Sequence, residues 1–586
     1  MKSFNKIIYW YAVIALTVPN VALCFTEHLS TWAALANIVL PFGVYMALMS
    51  VCRKPGKMVW WLFPIIFFAA FQIVLLYLFG KGVIAVDMFL NLVTTNPGEA
   101  MELLDNLIPG VASVFILYLP LLILGIVSIR SKKAPVLSSA LRKRYDQWAG
   151  GIATVGCILV ATACLSRPSG DNTKAQSEAQ FKAQSKAQSE DQSEAHAPHY
   201  SVLNDLYPVN VFYNLYLAVK RNNASIHYKE ASARFRFDAK PSHPEDSCEV
   251  YVMVIGETAR AMNFSLYGYQ RDTNPRLSKT RGLVAFSDVT TQSNTTHKSV
   301  PMLLSMASAS NFERLFHEKG ILQAFREAGF HTVFLSNQRP NHSFIDFLGE
   351  QADQWLFLKT GDANQAGREL AEAPGKDGNY YDADLLPILD RILARKRKKE
   401  FIVLHTYGSH FNYMDRYPRQ MAHFQPDTHC EAKKENRPDL INAYDNTIRY
   451  TDLVLSGVIE RLSRHGGMSA MLYTSDHGEN IFDDSHKLFL HASPRASEYE
   501  LRVPFLVWTS QSFRHQEPAV AQALSANRHK QAQSSRSAFH TMLNIGGIST
   551  RYLQAHMSLA SLQYKPAPLL YLNDHNEAIP QAECGF

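Results

Sequence analysis

Cysteine is scarce in this chain, with seven among 586 residues. Cys24, Cys52, Cys157 and Cys164 lie in or beside apolar stretches, and no two cysteines form a CxxC pair. Cys248, Cys430 and Cys584 are far apart in sequence, which leaves room for one disulfide and implies no disulfide framework. Stability must therefore come from burial, which a chain of this length can supply. Strong charge of one sign is missing too. The 58 Lys and Arg against 52 Asp and Glu leave a net charge of +6, which does not signal a nucleic-acid partner. A cleaved leader is not expected either. The first apolar run has no convincing small-residue cleavage site, and a second run follows it at once.

Long apolar runs are what the first third has in abundance. Five are long enough, or nearly so, to cross a bilayer at about 20 residues each. They cover Ile7–Phe25, Trp32–Cys52, Met58–Phe79, Ile108–Ile129 and Trp148–Leu165. Lys2 and Lys6 precede the first run, and Arg53, Lys54 and Lys57 join the second to the third. Arg130, Lys132, Lys133, Arg142, Lys143 and Arg144 separate the fourth from the fifth. These basic segments alternate along the chain, so they share one side of the membrane, which the positive-inside rule makes cytoplasmic. The loop from Gly80 to Leu107 and everything after Leu165 then face outward.

Ser169–His196 repeats an Ala-Gln-Ser-Glu/Lys theme with almost no apolar content, which reads as a disordered tether. The Tyr-, Leu- and Val-rich segment Tyr200–Ala218 suits either the headgroup layer or packing on the following domain. The expected organisation is a five-span transmembrane domain at 1–166, a linker at 167–247 and an outward domain at 248–586.

From Cys248 onward short apolar runs alternate with helical stretches. Candidate strands are Val250–Ile255, Thr332–Leu335, Phe401–Leu404, Ala470–Tyr473 and Val503–Trp508, and this alternation predicts an α/β domain with a mostly parallel sheet. Ligands gather at the carboxyl ends of such strands. Glu257 follows the first run, Asn337 the second, His405 and His410 the third, and Asp476-His477 the fourth. Two carboxylates and an imidazole form a ligand set suited to Zn²⁺. Gly478 after the Asp-His pair is expected to let the backbone turn sharply. The hydroxyl-rich stretch Ser293–Pro301 supplies candidate nucleophiles, with a helix expected to start at Ser299 and Pro301 in its first turn. A metal and a helix N-terminus together would favour an alkoxide and hold phosphate. His410, His491 and His405 are candidates for a second metal or a cationic clamp on phosphate oxygens.

In order along the chain stand IGETAR at Ile255–Arg260, LYGYQRDTNP at Leu266–Pro275 and TTHKSVP at Thr295–Pro301. HTYGSHFNYMDRYP at His405–Pro418, SDHGE at Ser475–Glu479, LHASP and VPFLVW follow. This series resembles the phosphoethanolamine transferases, membrane members of the alkaline phosphatase and sulfatase superfamily, over nearly the whole chain. The resemblance implies an alkaline-phosphatase/sulfatase-like outward domain behind a five-helix anchor. It implies zinc, one ion or two, on Glu257, Thr296, Asp476 and His477, with Thr296 as nucleophile. Thr296 is preferred to Thr295 because the family's nucleophile sits three residues before the Ser-Val-Pro serine. His410 and His491, with His405, match the second metal or phosphate site. Asn91, Thr95 and Glu99, spaced by four on one helical face, are similar to the family's lipid-headgroup contacts, with helix capping or solvation as the alternative.

The implied reaction is ping-pong transfer of phosphoethanolamine from phosphatidylethanolamine to lipopolysaccharide, at lipid A or core, through a phosphorylated Thr296. The implied setting is the bacterial inner membrane, with a monomeric chain whose catalytic domain lies in the periplasm. Two departures stand out: the better-known lipid A-modifying members carry several disulfides, and the Ser169–His196 insert is peculiar to this sequence. Alternative readings are a glycerol-phosphate transferase of the lipoteichoic-acid synthase type, a tethered phosphodiesterase or sulfatase, and a sensor on an inactive hydrolase fold.

Overall fold

The computed structural model describes residues 4–27, 29–79, 82–94, 97–131, 136–166, 200–370, 380–429, 431–483, 488–492 and 496–584, and only the backbone at 78–79, 91–94 and 97–107. The Ser169–His196 tract lies outside them. The chain divides into two compact units, Met1–Phe89 with Leu107–Leu217, and Leu90–Asn106 with Ala218–Phe586.

The first unit is helical, drawn from α1 (Phe4–Thr26), α2 (Thr31–Val51), α3 (Pro55–Trp61), α4 (Phe63–Phe79), α5 (Val86–Thr94) up to Phe89, α6 (Pro97–Arg130) from Leu107 and α7 (Ser139–Leu165). By length and composition α1, α2, α7 and the stretch Ile108–Arg130 of α6 can each cross a membrane. The expected continuous span Met58–Phe79 is instead two helices, α3 and α4, bent by 65°. Pro64 explains the break. It has no N–H to give to the preceding turn, and its ring disfavours helical geometry in the residue before it. Counted as one broken span, the pair brings the candidate spans among the described residues to five.

A further helix, α8 (Val209–Ile226), covers much of the Tyr- and Leu-rich segment and runs across the boundary between the units. Val209, Phe212, Tyr216, Val219 and Ile226 are exposed on it at intervals of three, four or seven residues, an outward apolar stripe.

The second unit is built on an eight-stranded sheet. Its strands are β1 (Glu249–Gly256), β2 (Leu283–Ala285), β3 (His331–Ser336), β4 (Gln354–Phe357), β5 (Asp362–Ala363), β6 (Lys399–His405), β7 (Met468–Ser475) and β8 (Phe505–Thr509). They lie in the order β2-β8-β7-β1-β6-β3-β4-β5. The run β7-β1-β6-β3-β4 is parallel, whereas β2, β8 and β5 attach antiparallel at the edges. All five strands expected from the sequence are present. The short β2, β4 and β5 were not expected, because two to four residues carry too little periodicity to register.

Every residue of β1 is buried, since helices cover both faces of the sheet. Tyr251, Met253 and Ile255 pack into one hydrophobic cluster and Val250, Val252 and Val254 into another, one on each side. Two helices matter for the site: α9 (Thr296–Leu304) and the long α10 (Arg437–His465).

Candidate active site

Four parallel strands end at the same edge of the sheet, and each delivers polar side chains there. Glu257 follows β1, Gln338 follows β3, the loop to His410 follows β6, and Asp476-His477 follows β7. Glu257 is 1% exposed, and Asp476 and His477 are fully buried. Thr296, half-buried, opens α9 and faces this group. Its hydroxyl donates to Glu257 Oε1 at 2.9 Å and lies 3.1 Å from His477 Nε2. Thr295 turns elsewhere, its hydroxyl 3.0 Å from Ser293 Oγ. The helix starts three residues before the expected Ser299, so Thr296 itself sits at the positive end of the helix dipole. Pro301 is therefore the sixth residue of α9, where it removes the bond to the carbonyl four residues earlier and its ring crowds that carbonyl.

The electrostatics of the cluster are unbalanced. His477 Nδ1 lies 2.8 Å from the Gly478 carbonyl, so it carries the proton and Nε2 presents a lone pair. That lone pair is 3.2 Å from Asp476 Oδ2 and 3.5 Å from Glu257 Oε1. Burial, followed by the Asp476 charge, pushes the Glu257 carboxyl well above its ordinary range. Burial also pulls down His477, His410 and His491, the last to about 4, so these imidazoles are neutral. Acceptor atoms converging in a buried space fit a divalent cation, and neutral imidazole is the form that ligates. Among the described residues two groups bring three ligand atoms within 4.8 Å: Glu257 with Asp476 and His477, and Glu257 with His410 and His491. Glu257 belongs to both. Zinc suits this mixture of carboxylate, imidazole and hydroxyl.

Supporting residues orient these groups. Gln338 Nε2 donates to Glu257 Oε2 at 3.1 Å and to the Thr406 carbonyl at 2.9 Å, which turns Oε1 toward Thr296. Asp476 Oδ1 accepts from the backbone amides of Thr258 at 3.1 Å and His477 at 2.7 Å. Glu479, fully buried, lies 3.0 Å from His491 Nδ1 and so leaves Nε2 for a ligand. Asp382 accepts from the amides of Tyr407 and Gly408 at 2.8 and 2.9 Å and holds the loop after β6. Gly408 has φ of 56°, and a Cβ there would meet the Glu257 carbonyl at 2.5 Å. Thr258 (φ 53°), Leu490 (φ 66°) and Ala492 (φ 59°) flank the ligands in left-handed backbone, a conformation side chains adopt only when their surroundings impose it.

Of the residues singled out from sequence, Glu257, Thr296, Asp476, His477, His410 and His491 converge. His405 does not. It lies inside the sheet beside β3, with Nδ1 3.1 Å from Ser336 Oγ, and belongs to neither ligand group. Asn91 and Glu99 fall on α5 and α6, but their side chains, and Thr95 altogether, lie outside the described residues. Gly478 does not make a left-handed turn. A Cβ there would lie 2.1 Å from the Tyr499 carbonyl, so close approach is what calls for glycine. No disulfide forms among the described residues, and Cys430 is outside them.

Sequence reasoning missed Gln338, Asp382 and the positioning role of Glu479. Gln338 follows Asn337 at a strand end and carried that positional signal; Asp382 carried none. Tyr269 and Arg271 of the LYGYQRDTNP motif, with the residues around it, tie to the scaffold. Asp445 on α10 pairs with Arg271 at 2.8 Å and accepts from Asn263 at 2.6 Å and Tyr269 at 2.9 Å. Asp452 accepts from the amides of Arg276 and Leu277 at 3.1 and 2.9 Å.

Residues 249–548 match the sulfatase family model. Phosphoethanolamine transferase EptA of Escherichia coli K12 is 31% identical over 313 residues, which are 52% of this chain and 54% of that protein. The chain thus matches about half the length of such curated relatives. The integral membrane lipooligosaccharide phosphoethanolamine transferase A of Neisseria meningitidis superposes with a TM-score of 0.69 at 21% identity. That superposition covers 95% of this chain and 98% of the other. The C-terminal periplasmic domain of Escherichia coli EptC, in complex with Zn, superposes with a TM-score of 0.51 at 23% identity, over 59% of this chain and 95% of that one. The two superpositions establish the fold, membrane helices included.

Proposed function

Because the chain belongs to the sulfatase family, we propose that it is a membrane-anchored, zinc-dependent phosphoethanolamine transferase with Thr296 as its nucleophile. The observation that carries this reading is the Thr296 hydroxyl at a helix N-terminus, between Glu257 Oε1 at 2.9 Å and His477 Nε2 at 3.1 Å. The names of its relatives, one crystallised with zinc, support the headgroup and the metal. We assign phosphatidylethanolamine as donor, lipopolysaccharide (lipid A or core) as acceptor, the bacterial inner membrane as location and the periplasm as the side of catalysis. The chain acts as a monomer, with a span domain at 1–166, a linker at 167–247 and a catalytic domain at 248–586. Anchoring has a physical logic, since donor and acceptor are both lipids held in membranes.

Zinc held by Glu257, Thr296, Asp476 and His477 would supply positive charge that lowers the proton affinity of the hydroxyl. Glu257 Oε1 is the acceptor already in place for the hydroxyl proton. Thr296 Oγ1 attacks phosphorus as the phosphorus–oxygen bond to diacylglycerol breaks, and the proton held by Glu257 passes to the departing diacylglycerol oxygen. The neutral imidazoles of His410 and His491 flank the site as ligands of a second ion or as partners of phosphate oxygens. An acceptor oxygen then displaces Thr296 and restores the enzyme. Asn91, Thr95 and Glu99 are assigned to the donor headgroup.

Thr296→Ala is expected to lose transfer by about 10³-fold or more while the protein stays folded and membrane-bound. Mass spectrometry of Thr296 trapped with donor alone identifies the group it carries. A glycerol-phosphate adduct, or substantial transfer by Thr296→Ala, would sink the proposal.

A further inference from the structure

Gln72 is the one amide side chain in α4, an otherwise apolar helix, and it is fully buried. A buried amide at membrane depth persists only with partners, and its partners indicate what it is for. Gln72 Nε2 donates to the Gly82 carbonyl at 2.7 Å, and its Oε1 accepts from the Ile84 amide at 3.1 Å. Two other side chains take the remaining groups of the same residues. Glu27 Oε1, beyond the end of α1, accepts from the Gly82 amide at 2.6 Å. Asn214 Nδ2, on α8, donates to the Ile84 carbonyl at 2.8 Å. Both backbone polar groups of both residues thus end on side chains from three separate places in the helical unit. Gly82 takes φ of 91°, open to glycine, and Ile84 and Val86 are fully buried.

Apolar burial alone has no direction and would let such a loop slide. Four hydrogen bonds of defined geometry fix its height and orientation against the bundle. The held segment leads straight into α5, which starts at Val86. We infer that Gln72, Glu27 and Asn214 form a positioning clamp. It fixes the outward loop and the start of α5, so that a zwitterionic glycerophospholipid in the bilayer is presented as donor. This rests on the transferase reading above. Gln72 touches no substrate and acts through the loop it holds.

The test uses full-length protein in phospholipid nanodiscs with two donors: phosphatidylethanolamine in the bilayer, and bis(4-nitrophenyl) phosphate, a soluble activated diester that reports on the metal centre alone. For Gln72→Leu, the KM for bilayer donor should rise about ten-fold while kcat stays within about two-fold. Cleavage of the soluble diester should stay within about two-fold, and the Gly82 and Ile84 amides should exchange with deuterium about ten-fold faster or more. Gln72→Glu, which keeps the acceptor for Ile84 but cannot donate to Gly82, should fall between. If Gln72→Leu does not fold, Asn214→Leu removes the clamp from α8 and is read the same way. Equal losses on both donors, or faster exchange with an unchanged KM, overturn the inference. Wild-type protein that spares phosphatidylethanolamine but takes another lipid overturns the proposed function instead, and the same comparison with that lipid still decides on Gln72.

Discussion

One strand carries two buried glutamates with opposite environments. Glu249 starts β1 and Glu257 follows its end, and the two are 0% and 1% exposed. Burial pushes the Glu249 carboxyl up, but His243, Ser247 and Lys399 outweigh it and hold that carboxyl below its ordinary value. His243 Nδ1 lies 2.8 Å away and Lys399 Nζ 3.1 Å away, and Tyr251 donates its hydroxyl at 3.0 Å. At the other end, burial and Asp476 push Glu257 in the opposite direction, and no cationic side chain pairs with it among the described residues. A buried carboxylate with its charge answered is part of the scaffold. One facing a second carboxylate and an imidazole lone pair belongs to a site suited to a cation.

The largest effect that tests this contrast is on activity. Glu257→Gln should lower transfer by about 10³-fold or more while the metal-free protein keeps or gains stability, because a frustrated charge is gone. Glu249→Gln should do the reverse. The folded fraction keeps its activity within about three-fold, while denaturant unfolding shows a loss of about 3–5 kcal/mol from breaking a buried ion cluster. Equal stability losses from the two substitutions would break the comparison. Next in size is the metal effect. Zinc at about 100 times its dissociation constant should stabilise the wild-type protein by about 2.7 kcal/mol, by mass action on the native state. Chelation should reverse that gain, and Glu257→Gln should show little of either in calorimetry.

The two ends of β1 also differ in how legible they were. Glu257, Asp476-His477 and His410 were readable because a residue just past an apolar run in a parallel sheet has a known place. The spans were readable from length and charge alternation, but the break before Phe63 was not drawn, although Pro64 stood in plain view. The Glu249 cluster joins His243, Lys399 and Glu517, separated by more than a hundred residues, and only the fold brings them together. Asp382 and Gln72 share that reason, since each is defined by backbone groups it meets rather than by its neighbours in sequence. His405 shows the converse. As the last residue of β6, it meets Ser336 Oγ on β3 at 3.1 Å and stands outside both ligand groups.

The smallest expected effect is a pH dependence of the scaffold end. The Glu249 hydrogen bond raises the pKa of His243, burial opposes it, and Glu517 at 3.2 Å adds to the rise. The titratable groups around His243 are Glu249 on β1, Lys399 on β6 and Glu517. A group whose folded pKa exceeds its unfolded value stabilises fully below the unfolded value, about 6.5 for histidine, and that contribution is lost as pH rises through the folded value. Glu249 runs the other way: its lowered folded pKa gives stability above the ordinary carboxylate range, lost as pH falls through the folded value. The cluster should therefore stabilise most in the mildly acidic window between the two. His243→Gln should flatten the alkaline limb above about pH 6.5 in denaturant midpoints, with kcat unchanged because the cluster lies at the far end of the strand from Thr296. An alkaline limb that persists in His243→Gln would move the titration to another group and leave the contrast between the two glutamates standing on geometry alone.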